Sequence, residues 1–253
     1  SAEHNKQLLQ AYEFFNRHIT EGAEASKIFG TIDTYAKKLS LTESDDLEKL
    51  KVCLGIFFTI WQDINKDNLK GRFNPKDVQN NISYQDVDDR YFGLIANYLV
   101  KEGRKLVLDE NINFISWNYD TQLERAISSF TNSSLKETLF QQKAYPYYST
   151  TSPKIVHLNG IAGLFEERSN LKTLFNDNEK DKNFLLNKNL SFLSKIDFDE
   201  PLNTNYFTYA WEDDNISKQS LKFAEKIISE TNILVIIGYS FPTFNDLVDK
   251  KLF

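Results

Sequence analysis

An open α/β fold, with a parallel sheet flanked by helices and a smaller helical lobe or insertion, is what this sequence predicts. Three observations predict it. Short apolar runs at residues 112–117, 154–158 and 232–237 have the length and composition of strands in such a sheet. Stretches with apolar residues at helical spacing alternate with them, as in sheets built from strand–helix units. Each run ends in polar groups, and the carboxyl ends of the strands are where open α/β sheets meet their ligands.

Taken in order, Leu8, Leu9, Tyr12, Phe15 and Ile19 recur at helical spacing, with His4 and His18 expected on the solvated side. Thr42 to Asp45 offer capping chemistry for a helix that carries Leu47, Leu50, Leu54, Phe57, Phe58 and Trp61. Residues 63–83 are polar, include Gly71 and Pro75, and read as loop. Residues 91–100 read as an amphipathic helix. The span 31–105 lacks a strand pattern and is expected to form a mainly helical subregion. Residues 105–108 are a weak strand, 111–117 a strong one, and 121–130 its helix. A tyrosine-rich loop at 145–148 precedes the strand at 154–158. Residues 166–190 are charged and Asn-rich, the composition of a mobile lobe. The stretch 216–229 is a helix with Leu221, Ala224, Ile227 and Ile228 on one face, and 232–237 is expected as a buried strand.

The 253 residues are 41% hydrophobic and 26% charged, enough for one large or two small domains with ample core. A net charge of −6 argues against a broad nucleic-acid footprint. No apolar run approaches the roughly 18 residues of a membrane span, and the start has no secretory pattern. Cys53 is the single cysteine, which excludes an intrachain disulfide and a Cys-rich zinc site. A cytoplasmic location is the default expectation. Methionine is absent and the last residues read as a helix running into Phe253, so one domain spanning 1–253, incomplete at both ends, is expected.

The strand end Ser116-Trp117-Asn118-Tyr119-Asp120 sets a carboxamide and a carboxylate at a turn into a helix. Asn118 or Asp120 could equally serve as helix caps, and Trp117 and Tyr119 as core or wall. His157 ends the second run, just before Asn159-Gly160, where an imidazole can act as a base near neutral pH. A strand-end histidine satisfied by backbone bonds is the plainer alternative. The third run ends in Gly238-Tyr239-Ser240, which could be an ordinary turn ending at Pro242. Ser240 lies outside any G-x-S-x-G elbow.

Taken together, the segments 114–120, 155–160 and 234–242 resemble, in order and content, sirtuin-like domains of the bacterial branch that hydrolyses NAD in antiphage defence. Residues 31–35 and 245–249 resemble that branch too. The resemblance implies a Rossmann-like sheet with a smaller helical lobe and NAD+ bound between them. It implies that Asn118 holds the nicotinamide-side ribose or the attacking water, and that His157 is the general base. Asp120 would meet the nicotinamide carboxamide, and Gly238, Tyr239 and Ser240 would lie along the adenosine half. Ser116, Trp117 and Tyr119 would complete the binding wall. NAD+ would be the substrate, with no cofactor and no metal. The implied setting is a homo-oligomer or a multidomain protein with a sensor region, acting on neither membrane nor nucleic acid.

Two departures qualify the resemblance. Deacylating sirtuins have four zinc-binding cysteines, and one cysteine here favours NAD hydrolysis over deacylation of acyl-lysine. The Gly-rich phosphate loop is also missing: Gly160 and Gly163 form only G-x-x-G, and in the family that loop sits at the N-terminal strand. The alternatives to an NAD+ glycohydrolase are a non-catalytic sensor or scaffold that binds NAD or ADP-ribose and, ranked lower, a protein deacylase.

Overall fold

A computed structural model describes residues 2–63, 89–142, 153–167, 170–175, 182–196, 198 and 203–253. It is a mixed α/β protein in which helices dominate and the sheets are small. The first three helices are α1 (Ala2–Phe29), α2 (Ile32–Leu41) and α3 (Asp46–Asp63). The 28-residue α1 is largely polar, and its buried stripe of Ala11, His18, Gly22 and Ala25 is narrow and mostly small. Gly22 lets the helices close up, since a Cβ there would sit 3.1 Å from both Ile32 Cδ1 and Leu50 Cδ1. His18, expected in solvent, is buried against Phe14 and bonds through Nδ1 to the Phe14 carbonyl at 2.8 Å. The stripe wins because 11, 18, 22 and 25 follow the helical repeat.

After α4 (Asp89–Ala96) the chain turns into a hairpin of β1 (Leu99–Glu102) and β2 (Lys105–Leu108). The helix expected to run to residue 100 therefore stops earlier. Gly103, at φ +61°, opens a two-residue loop, the position where a tight hairpin needs a residue without Cβ. The expected loop at 64–83 and the tyrosine-rich loop at 145–148 lie outside the described residues.

Next come β3 (Phe114–Ser116), α5 (Gln122–Thr131), α6 (Leu135–Gln142) and β4 (Ile155–His157). Strands β3 and β4 pair in parallel, with Phe114 opposite Ile155, Ile115 opposite Val156 and Ser116 opposite His157. Side chains alternate across the pair. Phe114 and Ile155 enter a core with Leu123, Ala126 and Ile127 of α5 and Leu135 and Leu139 of α6. Ile115 and Val156 enter another, shared with Ala224 and Ile227 of α8 (Asn215–Ser229) and Val248 and Leu252 of α9 (Asp246–Leu252). The pair is thus covered by helices on both faces.

A second, antiparallel sheet has the order β6–β5–β7: β5 (Gly160–Glu167), β6 (Asn170–Thr173) and β7 (Asn203–Phe207). Helix α3 lies directly on β5, where a Cβ on Gly55 would meet the Gly163 nitrogen at 3.4 Å. Helix α7 (Lys182–Leu193) adds Leu190 and Leu193 to Val52, Ile56 and Phe165 in a third core. Described parts of the expected mobile lobe, 166–190, are thus β6 and most of α7, with Leu185 and Leu190 buried.

Among the described residues, parallel pairing is limited to β3 and β4. The run 232–237, expected as a buried strand, carries no strand pairing, and its side chains are exposed, Ile233 by 81% and Ile237 by 69%. An apolar run becomes a buried strand only if a neighbour supplies its hydrogen bonds and a helix covers it. No described segment does either. Among the described residues, no helix is long and apolar enough to cross a membrane.

Between α3 and the segment after β7, Lys51 is buried with its Nζ 3.0 Å from both Glu48 and Glu212. Burial opposes its charge, but the two carboxylates outweigh it and raise its pKa. Removing one member of such a pair leaves the other charge poorly solvated. Lys51→Ala is therefore expected to destabilise the protein by about 3 kcal/mol, read as a lower chemical-denaturation midpoint. Cys53, one turn face away, is buried as well, and burial pushes its thiol up to about 12, so it behaves as an inert core residue.

Candidate functional site

The end of β3 turns sharply before α5, and local bonds build the elbow. The Asn118 N–H donates to Ser116 Oγ at 3.1 Å, and the Gln122 N–H donates to Asp120 Oδ1 at 3.0 Å. Thr121 is held by Gln62 of α3, which accepts from its N–H at 2.9 Å and its hydroxyl at 2.8 Å. Tyr119 packs between Phe58 and Phe207, with ring centroids 4.8 and 4.6 Å away, and its carbonyl accepts from the Ala162 N–H at 2.8 Å. These bonds leave the Asn118 side chain exposed, with Nδ2 donating to the Tyr91 hydroxyl at 3.1 Å.

The elbow borders a cleft of ≈ 380 Å³, within the range of small-ligand sites, roughly 300–1,000 Å³. Trp117, Asn118, Tyr119, Asp120, Gly238, Tyr239 and Ser240 all line it. Of the expected site residues, Ser116 and His157 do not. Ser116 instead supports the elbow from beneath. The opposite wall is anchored by Tyr239, whose ring stacks on Trp117 at 4.8 Å and 3°. The Tyr239 hydroxyl donates to Asp249 at 2.8 Å and accepts from Asn245 Nδ2 at 3.1 Å. Burial, and then that carboxylate, hold the phenol above its usual range.

His157 was expected as the general base, and its surroundings assign it another role. It is 1% exposed. Nε2 lies 2.6 Å from Glu124 Oε1, and Nδ1 lies 2.8 Å from the Asn118 carbonyl. A carbonyl only accepts, so Nδ1 carries a hydrogen. Burial works against the imidazolium, but the Glu124 charge, its hydrogen bond, the Asn118 carbonyl and Asp120 outweigh it and raise the pKa. His157 is thus bonded at both ring nitrogens, one of them to the Asn118 carbonyl. Strand parity is the reason: His157 shares a face with Ile155, and that face looks onto α5.

Glu124 is the member that sequence reasoning missed. It sits in the first turn of α5, fully buried, beside the apolar Leu123, Ala126 and Ile127. Asn159 was likewise not singled out as a site residue. It is 8% exposed, lines the cleft, and bridges two segments: Nδ2 donates to the Trp117 carbonyl at 2.6 Å, and Oδ1 accepts from the Ala210 N–H at 2.9 Å. Thr31, Asp33, Phe58, Pro242, Phe244 and Asn245 complete the lining.

Two carboxyls face this space. Burial raises the pKa of Asp120, opposed by the Gln122 N–H and His157. Burial raises Asp33 to about 6, and its buried Oδ1 has no hydrogen-bond partner. An unsatisfied buried polar atom costs about 1–3 kcal/mol. Among the described residues, the lining includes no lysine or arginine. The cleft is therefore negative and aromatic, suited to a cationic or hydroxyl-rich group. Among the described residues, no cluster of three or more His, Cys, Asp or Glu is placed to hold a metal ion. Comparison with protein-family models, with curated proteins and with solved structures finds no match for this chain.

Proposed function

We propose that this protein is a sirtuin-like NAD+ glycohydrolase that cleaves the nicotinamide–ribose bond to give nicotinamide and ADP-ribose. The observation that carries the reading is the meeting of two distant segments in one cleft: Trp117 to Asp120, after β3, and Gly238 to Ser240, after the apolar run 232–237. The Rossmann-like architecture belongs to this reading, with β3 and β4 as part of a larger parallel sheet. So do a role as a regulated effector in antiphage defence, a homo-oligomeric or multidomain setting, and a partner sensor region.

The chemistry suits the lining. Breaking an N-glycosidic bond builds oxocarbenium character on the ribose, and carboxylates aimed at that charge stabilise it. Nicotinamide leaves neutral, so no acid is needed on the leaving group. With two carboxyls and no lysine or arginine among its described lining residues, the cleft favours the cationic nicotinamide–ribose half of NAD+ over the pyrophosphate. Asn118 is placed to orient the ribose or the water, and the Trp117–Tyr239 stack offers an aromatic wall.

Purified protein incubated with NAD+ is expected to release nicotinamide, measured by chromatography. Asn118→Ala is expected to lower kcat by about 10²–10³-fold, the loss typical of one positioned polar group, with little change in melting temperature. Saturable NAD+ binding without nicotinamide release would establish the sensor reading instead. The described lining residues include no imidazole, which favours that second reading. Nicotinamide release that requires an acyl-lysine peptide would indicate a deacylase.

A further inference from the structure

We propose that residues 233–237 form the centre of a dimer interface, pairing antiparallel with the same residues of a second copy of this chain. The inference stands independently of the glycohydrolase reading, since these residues lie outside the cleft lining and the pairing needs no turnover.

Three features of the run show an unfilled strand position. Ile233, Leu234, Val235, Ile236 and Ile237 are exposed by 81%, 48%, 66%, 47% and 69%. The exposure alternates with a period of two, as it does along an extended strand with one face turned outward. Among the described residues, no hydrogen bond engages the backbone of 232–241. A row of free N–H and C=O groups is a template for another strand. Phe241 and Phe253 are exposed by 46% and 56%, and their rings meet at 5.4 Å. With these two rings the run presents roughly 700 Å² of apolar surface, more than the roughly 300–600 Å² of the largest patch on an ordinary monomer. It approaches the roughly 800 Å² that each partner buries in a specific interface.

The chemistry of the run also selects its partner. A strand that pairs here must be extended, carry apolar side chains on both faces, bring no charge and have its own backbone free. The run itself meets every condition, and no lysine, arginine, aspartate or glutamate occurs in 231–245. Around a two-fold axis through Val235, antiparallel pairing sets Ile233 opposite Ile237 and Leu234 opposite Ile236. The surface is therefore self-complementary, as an isologous dimer requires, and its cross-strand pairs are of the β-branched kind that stabilises sheets. Gly238 to Ser240 follow the run directly and line the cleft, so the pairing also holds that segment of the cleft in place.

The test measures the mass of the full chain by sedimentation velocity across a hundredfold range of concentration, with amide hydrogen exchange of 233–237 at both ends of the range. A reversible dimer is expected, with exchange of these amides slowed only where the dimer is populated. Val235→Lys sets two ammonium groups against each other at the axis and is expected to raise the dimer dissociation constant more than about 100-fold. Its circular dichroism and melting temperature should match wild type, because Val235 lies outside the core. Ile233→Lys alone is expected to weaken the dimer as well. Combined with Ile237→Glu it is expected to restore the dimer, because the register faces the new lysine of one copy with the new glutamate of the other. A wild-type chain that stays monomeric throughout, or a dimer that Val235→Lys leaves intact, overturns the proposal. Slow exchange of 233–237 in the monomer overturns it too, and would show that a segment of the same chain covers the run.

Discussion

Glu124→Ala is expected to destabilise the protein by about 3–5 kcal/mol, the range for removing one partner of a buried ion pair. Glu124 is fully buried, and its Oε1 meets His157 Nε2 at 2.6 Å. Without the carboxylate, the imidazole must either stay charged with no partner or lose its proton inside the core. Because the folded pKa of His157 is raised above 6.5, the pair contributes most below the unfolded value. That contribution is lost as pH rises through the folded value. Denaturation of wild type in guanidinium should therefore show stability from this pair at pH 6 that fades as pH rises through the raised folded value, and Glu124→Ala should flatten that slope. A variant as stable as wild type at pH 6, with the slope intact, would show that the pair carries no charge. The replacement Glu124→Leu with His157→Leu is expected to recover part of the stability, since apolar pairs of similar size often match buried ion pairs. It should not recover function, because the Asn118 carbonyl loses its donor.

This pair also marks the boundary of what could be read from the chain. The elbow at Asn118 was legible, because an apolar run followed by polar residues and a helical repeat is a local pattern. Clustering of Trp117 to Asp120 with Gly238 to Ser240 was legible only as an expectation, since it depends on how distant segments pack. Glu124 was not legible: within Gln122 to Ala126 it reads as an ordinary charged helix residue, and its partner lies 33 positions away. The face of His157 could have been found. Strand alternation sets it with Ile155, and a strand flanked by a helical repeat has that helix on one face. The weak strand expected at 105–108 is present as β2, but its partner at 99–102 was missed because Tyr91 to Val100 also satisfies a helical pattern, and the Gly103 turn decides between the two. For 232–237 the composition was read correctly as apolar, but pairing is a property of neighbours, and sequence pattern alone does not supply them.

Gly160→Ala is the second large effect expected, and it tests how closely β5 and β7 pack behind the Asn159 wall of the cleft. Gly160 opens β5 at φ +66°, where L-residues are strained. A Cβ there would lie 1.8 Å from the Tyr206 carbonyl oxygen and 2.9 Å from its carbon. Both are backbone atoms, and Tyr206 is itself buried in the core. The glycine is thus needed for the approach of β7, rather than for the approach of a ligand. The substitution is expected to destabilise by more than about 4 kcal/mol, a magnitude single changes reach only through such named causes. Its neighbour Asn159 ties Trp117 to Ala210, so a displaced β5 would also pull that wall of the cleft apart. Gly238→Ala is the matched control: φ is similar at +68°, but nothing lies within 4 Å of the added carbon. Only the conformational term remains there, about 1–2 kcal/mol. Thermal melts of the two variants should therefore separate widely. Near-equal melting temperatures would mean that β7 yields to the extra methyl, and that the close approach of Gly160 to the Tyr206 backbone does not hold the two strands in place.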